Sequence, residues 1–229
     1  RLDELARIAG SAKIIPTQLE FVDIAGLVRG ASKGEGLGNQ FLAHIREVDA
    51  IVHVVRCFED TDITHVEGEI NPLRDIDVIE TELMLADMES LEKRIPALEK
   101  KLRTKDPVAL VQFPLMERAL TLLREGKPAR FVECAPEEKE ELKRIGLITT
   151  KPILYACNVS EADAVKGNAF TEQVKARAEK EGGQVAIISA AIEAEVASLD
   201  SEEDKTEFLQ SLGLSETGLA RVIREGYAL

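Results

Sequence analysis

Three short segments carry side chains whose types and spacing suit nucleotide chemistry. The first, Asp23-Ile24-Ala25-Gly26, has the form D-x-x-G and closes an apolar run. At the carboxyl end of a parallel strand such an Asp can hold a magnesium ion through a water. The Gly N–H can meet a terminal phosphate where a side chain would obstruct it. Taken alone, the four residues are more often an ordinary strand-to-loop turn. The second segment, Asn158-Val159-Ser160-Glu161, and the third, Ser189-Ala190-Ala191, also follow apolar runs. Three such loops along one sheet edge would lie where open α/β folds bind nucleotides.

The elements that must position these loops can be read from the apolar pattern. Leu19 to Gly26 is expected to be a buried strand, the glycine-rich Gly30 to Gly38 a loop, and Asn39 to Glu47 a helix. Ala50 to Cys57 reads as a second strand, so a parallel βαβ unit and the α/β class follow. The pattern resumes at Pro152 to Asn158 and Gln184 to Ala190, with a charged helix from about Thr171 to Glu181 between them. From about Leu73 to Thr150 there is little strand signal. Met84, Met88, Leu91, Ile95, Leu98 and Leu102 follow heptad spacing, and Leu115, Ala119 and Leu122 continue it beyond an Asp106-Pro107 turn. The expectation is an antiparallel helical hairpin inserted into the α/β layer, kinked or interrupted at Pro96 and Pro114. Ser201 to Tyr227 reads as two short helices separated near Gly213.

Composition narrows the function classes. The 229 residues are 45% hydrophobic and 31% charged, enough apolar area for a core and enough charge for a soluble surface. No apolar run approaches the roughly 20 residues of a membrane-spanning helix, and no signal peptide is visible, so a cytoplasmic protein without membrane contact is expected. Cys57, Cys134 and Cys157 are few and far apart, which excludes a disulfide framework or a Cys-rich zinc site. A net charge of −13 argues against broad adhesion to nucleic acid, while leaving room for a local basic face. Arg1 stands where an initiator Met would be, so the natural amino terminus is expected to be missing.

The run from Phe21 to Leu42 resembles the YchF subfamily of the Obg-related P-loop GTPases. The resemblance extends through His53 to Glu59, Asn71 to Asp77, Asn158 to Glu161 and Arg224 to Leu229, essentially the whole chain. It implies a P-loop NTPase G-domain with a parallel sheet and an inserted antiparallel α-helical coiled-coil hairpin. It places Asp23 to Gly26 on the third guanine-nucleotide motif, Asn158 to Glu161 on the fourth and Ser189 to Ala191 on the fifth. The implied division is 1–72 for the first part of the G domain, 73–150 for the insertion and 151–229 for the second part.

Two departures from a standard GTPase stand out. The fourth motif is usually N-K-x-D, whose Asp accepts two hydrogen bonds from guanine, whereas Val159 and Glu161 occupy those positions here. The longer acid displaces its oxygens by one carbon, so guanine selectivity should be weak, and the resemblance implies that ATP is used at least as well as GTP. Asn158 can still bond the purine edge, and the Val159 backbone can line the base pocket. Leu27 follows Gly26 where the usual residue is a water-orienting Gln, and Leu has no polar atom for that task. His65 is the candidate substitute, an ordinary surface-loop residue being the alternative. His53 and His44 read as structural, and Lys33 as a solvated loop residue or a phosphate neutraliser. No G-x-x-x-x-G-K-[ST] occurs. In the resembled family that cradle precedes Arg1 and a TGS domain follows Leu229, so this span alone should not hydrolyse nucleotide efficiently.

Lys93, Arg94, Lys100, Lys101, Arg103 and Lys105 concentrate positive charge near one hairpin end and could meet RNA phosphates or the ribosome. A solvated face paired with Glu92 and Glu99 is the alternative. The resulting expectation is a magnesium-dependent ATPase whose nucleotide state controls a translation-associated switch. The rival is a nonhydrolytic, nucleotide-regulated module that works through its hairpin.

Overall fold

A parallel pair of strands cannot be closed by a tight turn, so each connection here carries at least one helix across the sheet. The computed structural model describes residues 2–11, 13–14, 18–24, 37–60 and 69–229. In chain order they form α1 (Leu2–Ala9), α2 (Leu37–Glu47), β1 (Ile51–Arg56), α3 (Pro72–Leu102), α4 (Pro107–Arg124) and α5 (Lys139–Ile145). They continue with β2 (Ile153–Asn158), α6 (Ala169–Glu181), β3 (Gln184–Ile188), α7 (Ala190–Ser198), α8 (Glu202–Ser211) and α9 (Gly218–Tyr227). The three strands pair in parallel in the order β1-β2-β3, with Arg56 beside Asn158 and Asn158 beside Ile188. β2 is central and its first five residues are buried, as its unbroken apolar run requires.

The expected strand over Leu19 to Gly26 is not formed at residues 19–24, and residues 25 and 26 lie outside the described residues. A strand exists only through its ladder, and β1 pairs with β2 alone among the described residues. Leu19, Phe21 and Val22 are consequently exposed, as is Val54 on β1.

Residues 72–124 form two long helices, as their pattern requires, and residues 125–150 add α5 and short irregular turns. Asn71 caps α3 by accepting from the Arg74 N–H at 3.0 Å, and Asp106 caps α4 by accepting from the Ala109 N–H at 2.9 Å. Pro96 and Pro114 do not interrupt the helices. Each proline frees the carbonyl four residues earlier, on Glu92 and Leu110, and both of these residues are exposed, so water can satisfy what the ladder loses. Leu91, Leu115 and Ala119 are fully buried as their spacing demands. The seam is not closed by two helices alone, because Val132, Leu142, Ile145 and Leu147 pack into the same cluster.

Two buried polar joints anchor this helical region, the first closing its two ends on each other and the second tying it to the α/β layer. Asp87 of α3 accepts from the N–H groups of Ile148 and Thr149 and from the Thr149 hydroxyl at 2.8 to 2.9 Å, with Arg46 at 3.7 Å. Burial pushes its carboxyl above the ordinary range, and these donors oppose the shift. The second joint is built on Glu80 of α3, which receives Arg130 at 2.6 Å and Arg177 of α6 at 2.9 Å. Glu181 also binds both arginines, and accepts from the Tyr155 hydroxyl at 3.0 Å.

Asp87→Ala removes the shared acceptor of two buried N–H groups. It should lower the unfolding free energy by about 2 to 4 kcal/mol in urea titration. His53, in β1 beside the Tyr155 ring, is held neutral by desolvation, its pKa lowered to about 4 despite an opposing pull from Asp75. Its contribution is therefore complete above about pH 6.5 and is lost as the pH falls towards 4. Relative to His53→Gln, the wild type should lose about 2 kcal/mol between pH 7 and pH 5.

Candidate functional site

Because the strands are parallel and in register, the residues ending them share one edge. Asn158 ends β2, while Ser189 follows β3 and immediately precedes α7. The Asn158 side-chain oxygen accepts from the Ala190 N–H at 2.9 Å. This bond joins the second and third loops read from the sequence. It also orients the amide so that its NH2 group is left to donate. Ser189 is only 3% exposed, and its hydroxyl has no partner among the described residues, nor does it cap α7. Beside it, Ala191 and Ile192 supply first-turn N–H groups that no intrahelical carbonyl can reach. The edge thus offers an oriented amide, an orphaned hydroxyl and a helix N-terminus, a donor set that suits an anionic or purine ligand.

Val159 contributes less than expected. Its N–H donates to the Ile188 carbonyl at 2.9 Å and its side chain is buried, so only its carbonyl remains for a ligand. Glu161 opens a short turn, Glu161–Asp163, and is exposed; its carbonyl accepts from the Ala164 N–H, while its carboxylate has no hydrogen bond or ion pair among the described residues. Asp23 is likewise exposed and without a described partner. A single hard carboxylate fits magnesium, which commonly takes one or two protein carboxylates and fills its shell with water and phosphate. Among the described residues no group of three or more His, Cys, Asp or Glu side chains converges as a metal cage. Gly26, Leu27, Lys33 and His65 lie outside the described residues.

Two residues that brace the edge were not singled out in the sequence. The Asn168 side-chain NH2 donates to the Cys57 carbonyl after β1 at 2.7 Å and to Asp163 at 2.9 Å. Its oxygen accepts from the N–H groups of Phe170 and Thr171, capping α6. Asp163 also accepts from the Ser160 hydroxyl at 3.0 Å, so residues 158–168 are cross-linked to the end of β1. Gly167 precedes this cap at φ 75°, where an added Cβ would lie 2.4 Å from the Thr171 hydroxyl oxygen. The legible signal was an Asn three residues before Thr171 at a helix start.

The basic stretch divides. Lys100, Lys101, Arg103 and Lys105 are exposed and pair with no carboxylate among the described residues. Lys93 forms an exposed pair with Glu89 at 2.5 Å. Arg94 does not join the basic surface, because its guanidinium donates to the Ile145 carbonyl at 2.8 Å and fastens α5 to α3. Glu92, expected to neutralise neighbouring cations of this stretch, instead pairs with Arg124 at 2.9 Å.

A family model described as 50S ribosome-binding GTPase matches residues 5–108. Over 229 residues the chain is 53% identical to the ribosome-binding ATPase YchF of Haemophilus influenzae, covering all of this chain and 62% of that protein. Over 231 aligned residues it is 46% identical to the ribosome-binding ATPase YchF of Bacillus subtilis, covering all of this chain and 63% of that protein. A solved structure of the Schizosaccharomyces pombe YchF GTPase matches with a TM-score of 0.79 at 33% identity, over 99% of this chain and 62% of that one. The chain therefore spans a little under two thirds of the length of these relatives. The fold is that of a P-loop GTPase G domain, a parallel sheet flanked by helices.

Asn168→Asp retains the acceptor that caps α6, loses the donor to Cys57 and sets a like charge against Asp163. In the full-length protein it should weaken nucleotide binding several-fold by calorimetry while leaving helix content unchanged. Unaltered affinity would show that the brace does not hold the site.

Proposed function

Given that this chain is highly similar, along its entire length, to YchF ribosome-binding ATPases, we propose that it carries the base-binding edge and partner-facing hairpin of a nucleoside triphosphatase. The enzyme is magnesium-dependent, prefers ATP to GTP, and acts in the cytoplasm as a nucleotide-controlled switch on the ribosome. The observation that carries this reading is the Asn158 to Ala190 bond beside the orphaned Ser189 hydroxyl.

In this reading the Asn158 NH2 group donates to the purine edge, and Ser189, Ala190 and Ala191 close over the base. Glu161 leaves guanine without its bidentate acceptor, because its oxygens stand one carbon too far along the side chain. Asp23 would hold magnesium, and the Gly26 N–H would meet the γ-phosphate. Magnesium, when bound, supplies charge neutralisation on the phosphates. Leu27 cannot orient the attacking water, and His65 takes that role. The division into 1–72, 73–150 and 151–229 separates nucleotide handling from partner contact, with Glu80 as the joint to the last part. The second reading, a nonhydrolytic module working through its hairpin, is favoured by the unpaired cations at the hairpin end.

The full-length protein should release phosphate from ATP and do so at a different rate with ribosomes present. Absence of turnover in both conditions would leave the nonhydrolytic reading. His65→Ala should slow turnover without changing nucleotide affinity. By calorimetry ATP should bind at least as tightly as GTP, and Glu161→Asp should shift the ratio towards GTP by roughly tenfold. A strong GTP preference in the wild type would contradict the proposed role of Glu161.

A further inference from the structure

The hairpin end combines two chemistries that the nucleotide site does not use. The first is charge. Lys100, Lys101, Arg103 and Lys105 are exposed and unpaired among the described residues, whereas Lys93 and Arg124, farther along the same helices, each have a carboxylate partner. In a chain of net charge −13 this is a local inversion of sign. The turn that displays the cations is built rather than slack. The Thr104 hydroxyl donates to the Lys101 carbonyl at 2.8 Å, Asp106 caps α4, and Lys105 adopts φ 54°. That left-handed conformation is unfavourable for a non-glycine residue.

The second chemistry is apolar. Val108, Leu110 and Val111, in the first turns of α4, are 55%, 54% and 44% exposed, while Ala109 between them is fully buried against the hairpin. Val108 and Val111 lie three residues apart and share a face next to the cationic turn. Phosphates would satisfy the four cations. They would not reward desolvation of the aliphatic side chains, because the outer surface of an RNA helix is charged sugar and phosphate. Burial returns about 25 cal/mol per Å² only where apolar surface receives it. A protein surface with carboxylates around an apolar patch satisfies both features at once.

We propose that the hairpin end docks onto a protein whose surface is acidic around an apolar patch, and that its contact on the ribosome is protein rather than RNA. This rests on the ribosome reading given above for where the partner is found. The cations steer the encounter and set its salt dependence, and the aliphatic residues supply the contact that persists once salt is raised.

The test uses the full-length protein and ribosomes purified from the same organism, with a photo-crosslinking amino acid at position 111. The expected adduct is RNase-resistant and protease-sensitive and contains an acidic protein. In co-sedimentation, Lys101→Glu/Arg103→Glu and Val108→Ser/Val111→Ser should each weaken ribosome affinity about tenfold, with nucleotide affinity unchanged as the check on folding. Co-sedimentation with an RNase-sensitive adduct, with no intermolecular adduct, or with unaltered affinity of the Val108→Ser/Val111→Ser variant would overturn this inference and leave the ribosome reading standing. Failure of the wild type to co-sediment at all would overturn both.

Discussion

Everything functional in this chain depends on the parallel register of its strands. A parallel ladder sends every strand in the same direction, so the loops after β1, β2 and β3 emerge at one edge however far apart they lie in sequence. Arg56 lies more than a hundred positions before Asn158, and Ile188 lies 30 after it, yet the three stand side by side. From that constraint follow the bond from Asn158 to Ala190 and the bridge from Asn168 to the Cys57 carbonyl.

The second level of organisation is the attachment of the long helices. α3 is 31 residues long, about 46 Å at 1.5 Å per residue, and two of its three buried carboxylates, Glu80 and Asp87, anchor its first half. Buried carboxylates destabilise a structure unless they are fully bonded, and both are. Arg177 and Glu181 belong to α6, the helix whose N-terminus is capped by Asn168, so the loop at 158–168 and the root of α3 are joined by one helix. A displacement of residues 158–168 therefore has a short mechanical route into α3.

The sequence disclosed what local pattern can encode. The runs in β1, β2 and β3 and the heptad spacing of α3 are visible because packing in a sheet selects apolar runs and packing along one helix stripe leaves a period in the residues. The run Leu19 to Ile24 carried the same apolar signature and did not become a strand, since a ladder also needs a neighbour and composition cannot say whether one is there. Long-range polar joints were silent for a related reason. Nothing near Asp87 indicates that it will accept from Thr149, 62 positions away, and nothing near Arg94 indicates that it will serve the Ile145 carbonyl. The Asn158 segment was legible through its resemblance to a motif. Its bracing by Asn168 and Asp163 was written only as ordinary capping signals, which do not distinguish a helix start from a helix start that holds a site.

The central claim is that nucleotide is held at the carboxyl edge of the sheet by the loops at 158–163 and 189–192. Hydrogen–deuterium exchange of the full-length protein with and without ATP and magnesium reads this directly, since bound nucleotide must slow exchange where it is gripped. The account predicts protection in both of these loops, with residues 100–111 of the hairpin end unprotected by nucleotide alone. Full exchange in 158–163 and 189–192 at saturating nucleotide would contradict it.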